Sequence, residues 1–388
     1  MYTDFIELTT PKKLDIISDL KFSATAQDQL LVSSWCNRLL LYKCKSLENY
    51  PHEEPSTSPI CIIDTAETPL CLLYPDIGGP IVGSLDGSVQ ELDFENMKLG
   101  RDFARGSHHS NSGDGYTGGG EEEEEEDNHL AGISNLCRGS NHSILASTFG
   151  RKLLVLDQRQ QRPISTFQKT HKILTMDTTD KYLILGLSGQ LIEIYDLQNL
   201  NTPLETRDIG LRYQFKDLKA FPNQQGFAVA TIDARVSIES LDPSPQAQQE
   251  KKFTFKSHRH FNKTSGLDLV YPINSILFDK SPKQMLYTGG SDGYVCLWDI
   301  EKRKRIKQFA RFETRDRMGG IESVAKLAMS YNDDLLAVAT SDDSIVRRRS
   351  LSEAIDTRHP SRVYVRQLKD TGDNQNGEDD DDGFARVS

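Results

Sequence analysis

One unit recurs along this chain of 388 residues, and it constrains the fold more than any other feature. An apolar strand enters a tight turn that opens with a small or hydroxyl residue. A strand of alternating apolar residues then leaves the turn toward an aspartate. The clearest copies are Gly290-Ser291-Asp292-Gly293-Tyr294-Val295-Cys296-Leu297-Trp298-Asp299 and Ser84-Leu85-Asp86-Gly87-Ser88-Val89-Gln90-Glu91-Leu92-Asp93. Looser copies open at Ser34, Ser147, Gly186, Thr231 and Thr340. Asp-Gly and Asn-like residues tolerate the positive φ of such a turn, and the period-2 pattern marks the strands on either side. Another strand precedes most copies, as in Ile16-Ile17-Ser18-Asp19-Leu20-Lys21-Phe22 and Asn274-Ser275-Ile276-Leu277-Phe278, and helical periodicity is nowhere sustained.

Seven such units, with an acidic insert and tail set aside, share about 337 residues, roughly 48 each, which suits four-stranded blades. Blades that close into a ring bury their faces against one another. The expected fold is therefore all-β: one seven-bladed WD40 β-propeller over residues 1–367, although length alone would suggest two or three domains. The strand Asp4-Phe5-Ile6-Glu7-Leu8 is expected to pair with the last blade, whose final strand is Arg362-Val363-Tyr364-Val365. Trp-Asp occurs once, at Trp298-Asp299, and Gly-His is absent, so the repeats are degenerate.

The net charge of −11 has two local sources. Glu121 to Asp127 lie in a Gly/Ser/His-rich stretch at about 101–130, and Asp373, Glu378 and Asp379 to Asp382 lie in the tail at 368–388. Neither can bury apolar surface and both repel themselves, so both are expected to be disordered. Without these 13 acidic residues the balance is +2, so the folded body is near neutral and faintly basic. No apolar run approaches the ~20 residues of a membrane helix. The N-terminus lacks a signal-peptide pattern, and six scattered cysteines without CxxC pairs read as reduced thiols of a cytosolic or nuclear protein.

Gly289-Gly290-Ser291-Asp292-Gly293 matches the G-x-S-x-G elbow of serine hydrolases, but that elbow needs a following helix and then an acid and a His in chain order. Here a strand follows, so the match reads as a blade turn. His171, His258, His260 and His359 show no metal-ligand spacing, and neither a catalytic set nor a metal or cofactor site is expected. Basic residues cluster between Arg207 and Lys263 and again from Lys302 to Arg317; the bland reading is solvated blade edges, with nuclear import or anion binding as the alternative for Lys302 to Lys307. Arg235 stands apart, just beyond the turn Thr231-Ile232-Asp233-Ala234. Lys256 lies in the following strand, Phe253-Thr254-Phe255-Lys256-Ser257-His258-Arg259, so the two can converge on a rim as a site for a phosphorylated side chain.

Gly210-Leu211-Arg212-Tyr213-Gln214-Phe215-Lys216-Asp217, Phe253-Thr254-Phe255-Lys256-Ser257-His258-Arg259, Tyr271-Pro272-Ile273-Asn274-Ser275-Ile276 and Leu286-Tyr287-Thr288-Gly289-Gly290-Ser291-Asp292-Gly293 resemble the spindle-assembly-checkpoint propeller of the Bub type, whose sister is the messenger-RNA-export propeller. Lys304-Arg305-Ile306-Lys307-Gln308-Phe309 adds to the likeness, which is specific from about 171 to 343. The resemblance implies a non-enzymatic, monomeric scaffold of the nucleus and, in mitosis, the kinetochore. It would hold a short acidic helical segment of the checkpoint kinase and its pseudokinase relative, and read phosphothreonine in Met-Glu-Leu-Thr repeats of a kinetochore scaffold. By resemblance the phosphate-binding pair falls on Arg235 and Lys256, the partner-segment residues on Lys216 and Trp35. The chain departs from the family pattern at Cys36-Asn37, at Ala234, and at Lys216, where an Arg fork is usual. The alternative is a nucleoporin-binding propeller of the export family.

Overall fold

The computed structural model of the chain describes residues 5–12, 14–26, 28–44, 57–104, 131–160, 162–314, 320–342 and 361–368. Seven four-stranded antiparallel sheets form the blades, with first strands beginning at Ile17, Pro69, Ile133, Ile173, Phe215, Ile273 and Ser323. The chain closes the ring with its own ends. Ile6–Leu8 pairs antiparallel with Arg362–Gln367, in the register Ile6↔Val365 and Leu8↔Val363, and so completes blade seven.

The apolar core is seven slabs, one between each pair of neighbouring blades. Leu31 and Leu39 of blade one pack on Leu72 and Val82 of blade two. Equivalent clusters follow around the ring until Leu20, Val32 and Leu40 of blade one meet Ala337, Ala339 and Val363 of blade seven. Alternation explains this, because each strand turns one set of side chains to the preceding blade and the other to the next. Glycine serves where blades approach closest: a Cβ at Gly289 would stand 2.6 Å from Cγ1 of Val324 in the next blade.

Polar side chains stitch the slabs near the axis. Oδ2 of Asp19 accepts the Leu72 amide at 3.0 Å, that of Asp177 the Ala220 amide at 2.9 Å, and that of Asp217 the Ile276 amide at 2.9 Å, each from blade to next blade. Ser341 Oγ accepts the Ile17 amide at 3.1 Å across the closure. In six blades the first strand carries a bulge at its second residue, among them Ser18, Lys216 and Asn274, and in blade seven at its third, Ala325. A bulge bends the strand and turns that extra side chain away from the ladder.

Four local expectations need correction. Arg101 and Asp102 belong to the strand Lys98–Asp102, and Phe103 and Ala104 are buried, because they finish blade two against blade three. The insert expected from 101 thus starts later, and 105–130 lie outside the described residues, as do 369–388 of the tail. Leu368 still belongs to blade seven, its amide donating to the Asp334 carbonyl at 2.7 Å. A helix, Pro245–Lys251, stands in the loop of blade five, too short to show a repeat. The strand from Phe253 stops at Lys256, because His258 takes φ 53° and reverses the chain into a separate hairpin, Arg259–Asn262 with Leu267–Val270, between blades five and six.

Candidate functional site

Within a blade the strands alternate in direction, so the start of the first, the end of the second, the start of the third and the end of the fourth share one rim. In blade five these are Phe215, Thr231, Arg235 and Lys256. The turn between second and third strands has the same form in every blade where it is described. Its first residue donates its amide to the residue before the first strand or its near neighbour: Trp35 to Ile16, Leu85 to Thr68, Phe149 to Gly132, Ser188 to Lys172, Ile232 to Gln214 and Ser291 to Pro272, at 2.8–3.1 Å. Its third residue is left-handed: Asn37, Gly87, Arg151, Gln190, Ala234 and Gly293. Asn at position 37 therefore preserves the turn that Cys36-Asn37 put in question, since its short polar side chain tolerates that conformation.

This equivalence isolates blade five. The residue after the left-handed position faces the end of the fourth strand, and the pairs are Arg38↔Asp64, Lys152↔Gln168, Leu191↔Asp208 and Arg235↔Lys256 in blades one, three, four and five. Arg38 is neutralised by its partner at 2.9 Å. Of these four pairs only that of blade five sets two cations opposite one another, which is unfavourable in a sheet without an anion to share.

Asp233 stands beside the pair. Its Oδ2 lies 3.0 Å from Arg235 Nε, at an angle that makes no hydrogen bond, and its Oδ1 accepts the Thr231 hydroxyl at 2.6 Å. The Lys256 side chain makes no hydrogen bond or ion pair among the described residues, whereas Arg235 is ion-paired with Asp233. Arg235 is about one-third exposed, its side chain at 35%, so it is held at its base and open at its tip.

A third cation, not singled out from sequence, reaches the same place. Arg259 donates from Nη2 to the Asp233 carbonyl at 2.7 Å and lies 3.6 Å from Oδ2 of its carboxylate. The signals for it in the sequence were its place in the basic cluster from Arg207 to Lys263 and at the end of the Phe253-to-Arg259 motif. Two arginines meet at the Asp233 carboxylate, and Lys256 stands opposite one of them, so the local charge is +2.

The other predicted residues share the rim but not the spot. Lys216 is exposed on the bulge at the start of blade five's first strand. Trp35, 49% exposed, is in blade one, three blades away around the ring. Lys304–Gln308 is the exposed outer strand of blade six, as a solvated edge would be. The hairpin between blades five and six rises from the same rim and exposes Phe261 and Leu267 at 64% and 63%.

Ser291 sits in the blade-six turn, its amide donating to the Pro272 carbonyl at 2.9 Å. Its hydroxyl accepts from Asn274 Nδ2 at 2.9 Å, while His258 is committed elsewhere. His258 Nδ1 donates to Asp292 Oδ1 at 2.8 Å and Nε2 accepts the Thr288 hydroxyl at 2.9 Å, which in turn accepts Trp298 Nε1 at 3.1 Å. This tautomer is the one that satisfies every member of the chain. Burial pushes the Asp292 carboxyl up, but hydrogen bonds from His258 and His260 outweigh it and hold it well below the usual carboxylate range. No group of three His, Cys, Asp or Glu side chains is placed to hold a metal among the described residues.

The comparisons with known proteins agree with this architecture. The chain is 31% identical over 346 residues to the mitotic checkpoint protein bub3 of Dictyostelium discoideum, covering 87% of this chain and 89% of that protein. The chain belongs to the Bub3 family. The spindle assembly checkpoint protein bub3 of Schizosaccharomyces pombe is 28% identical over 84% of this chain and 88% of its own length. Protein RAE1 of Arabidopsis thaliana is 36% identical, over 155 residues that cover 40% of this chain and 42% of its own. No protein-family model matches the chain. Membership of the Bub3 family makes this a WD-repeat propeller of the spindle assembly checkpoint, with protein partners.

Proposed function

We propose that this chain is a checkpoint scaffold that recruits its partners to unattached kinetochores by reading phosphothreonine on the rim of blade five. The observation that carries this reading is the pair Arg235↔Lys256, two cations directly opposite in register on an accessible rim. A phosphothreonine brings about −1.5 to −2 charges and three acceptor oxygens. Charge-assisted hydrogen bonds of about 1.5–3 kcal/mol each suit the open Arg235 fork and the Lys256 ammonium. In this reading the phosphate belongs to Met-Glu-Leu-Thr repeats of a kinetochore scaffold. The short acidic helical segment of the checkpoint kinase and its pseudokinase relative then docks on the same rim, against Lys216 and the exposed Trp35. The nucleus, and kinetochores in mitosis, are the places where such a scaffold works.

The test is fluorescence-polarisation binding of a Met-Glu-Leu-Thr peptide, phosphorylated and not, to the wild type and to Arg235→Glu. The wild type is expected to select the phosphorylated form, and the variant to lose it by a hundredfold or more, since a repulsive charge replaces an attractive one. Arg235 is partly exposed on a turn and its ion pair is with Asp233 of that same turn, so thermal stability should change little. Equal binding of both peptide forms by the wild type would overturn the phosphate reading and favour a nucleoporin-binding propeller of the export kind, for which the RAE1 likeness speaks.

A further inference from the structure

We propose that the mouth of the central channel, on the face away from the blade-five rim, is a second binding site, which takes a compact polyphosphate anion. The inference does not depend on the phosphothreonine reading, since the two sites lie at opposite ends of the first strands. Phe215 begins that strand of blade five at the rim, whereas Lys219 stands near its other end.

The first strands of all seven blades pack side by side around the axis. Where they end, they enclose a cavity of about 320 Å³ to which every blade contributes. That volume suits a small ligand. Its wall carries four cations, Lys21 of blade one, Arg138 of blade three, Lys219 of blade five and Lys280 of blade six, against one carboxylate, Asp177 of blade four. These charges are close enough to act on one another across the mouth. Burial lowers the Lys280 pKa, Asp333 opposes that, and the charge of Arg138 lowers it further. The Cys137 thiol, in the same wall, lies in the field of both Lys219 and Lys21.

The protein leaves much of this bonding capacity unused. The Lys219 ammonium makes no hydrogen bond or ion pair among the described residues. Burial opposes its charge, but Asp177 and Asp217 outweigh burial and push its pKa up, so it stays protonated. Lys219 lies deep in the fold yet keeps accessible surface, because it borders the cavity. The carboxylates behind it are engaged by backbone. Both oxygens of Asp217 accept amides, of Leu218 and Ile276 at 2.9 Å, and both of Asp19 accept those of Leu20 and Leu72, at 2.9 and 3.0 Å. Oδ2 of Asp177 is taken by the Ala220 amide. Lys21 comes no nearer than 3.9 Å to Asp19 and is about one-third exposed. Lys280, exposed at the mouth, spends one donor on the Tyr331 carbonyl at 2.9 Å and keeps two. Arg138 is fixed by the Tyr74 carbonyl at 3.0 Å and Asp76 at 3.2 Å, so it frames the opening. An ammonium without a protein partner must be met by whatever fills the space beside it. Several lysines converging from different blades on one enclosed space match an anion whose charge is spread over many oxygens.

The experiment is calorimetric titration of the full chain with sodium tripolyphosphate at low salt and at two temperatures, with orthophosphate titrated alongside. One saturable site is expected, at least about tenfold tighter for tripolyphosphate, because the longer anion reaches several cations at once. Lys219→Met and Lys21→Met each remove one charge at nearly constant length and should each weaken it about tenfold. Lys219→Arg keeps the charge and should retain most of the affinity. Arg235→Glu should leave binding unchanged, and the phosphorylated Met-Glu-Leu-Thr peptide should not compete. If Lys219→Met loses its cooperative melting, Lys21→Met gives the same reading from the opposite wall. No saturable binding up to millimolar tripolyphosphate would overturn the proposal, as would equal affinity for the two anions. Binding that survives both lysine variants and falls with Arg235→Glu would also overturn it, and would return the anion to the blade-five rim.

Discussion

Arg38 and Arg235 occupy the same turn position in blades one and five, but their strand partners differ. Facing Asp64, Arg38 is half of a surface ion pair of the kind that contributes little. Facing Lys256, Arg235 stands opposite a second cation, which is why the proposed anion site falls here. Chemistry at this scale is therefore a matter of what stands opposite, and the same holds for the thiols. Burial pushes Cys44, Cys137 and Cys296 up to about 12, and Cys71 higher still, so none forms thiolate near neutrality. Cys36 and Cys61 are the partly exposed pair. Alkylation of the native protein with iodoacetamide, read by peptide mass spectrometry, should mark these two first and the other four only on unfolding; early labelling of Cys137 would mean that the blade three to four interface opens.

At the scale of the element, blade six shows what a complete repeat contains. His258, Thr288 and Trp298 form one chain of hydrogen bonds ending on Asp292, and the carboxylate is ionised in the fold at pH values where a free one would protonate. A depressed folded-state value contributes stability above the unfolded value of about 3.9, and that contribution is lost as pH falls through the folded one. Asp292→Asn should therefore cost about 2–4 kcal/mol near neutrality. Its deficit should shrink steadily as the pH drops below about 4, as followed by urea midpoints across the acid range. A deficit independent of pH would place the cost in packing instead. The hairpin beside it shows the opposite case. A run written as one strand, Phe253 to Arg259, is divided at His258, where the chain reverses and both His258 and His260 reach Asp292.

For the whole molecule, stability hangs on the closure of the ring. Leu8 is buried in the slab between blades one and seven, and the strand that carries it pairs with Arg362–Gln367. Glu322, buried beside that seam, accepts from Thr340 at 2.9 Å and Tyr364 at 3.0 Å and pairs with Arg362, which also reaches Glu7 at 3.4 Å. Leu8→Ala should cost about 3 kcal/mol, the usual range for a buried leucine. It should lower the Tm by several degrees in calorimetry while phosphopeptide affinity at 25 °C stays unchanged, because the seam lies two blades from Arg235. A loss of affinity without a loss of stability would show instead that closure shapes the distant rim.

The seven strand-turn-strand units, the closure by residues 6–8 and the candidate pair Arg235 and Lys256 were legible in the sequence, since period-2 patterning, turn chemistry and a shared motif are local properties of the chain. What the tertiary structure alone decided was contact between residues far apart along it. The Ile17 amide finds Ser341, 324 positions away, and Asp292 reaches back 34 to His258 and 32 to His260. No local pattern records that Arg259 returns to Asp233, or that Arg38 faces Asp64 while Arg235 faces Lys256. Those outcomes depend on register and on one left-handed histidine, and both are settled only when neighbouring blades pack.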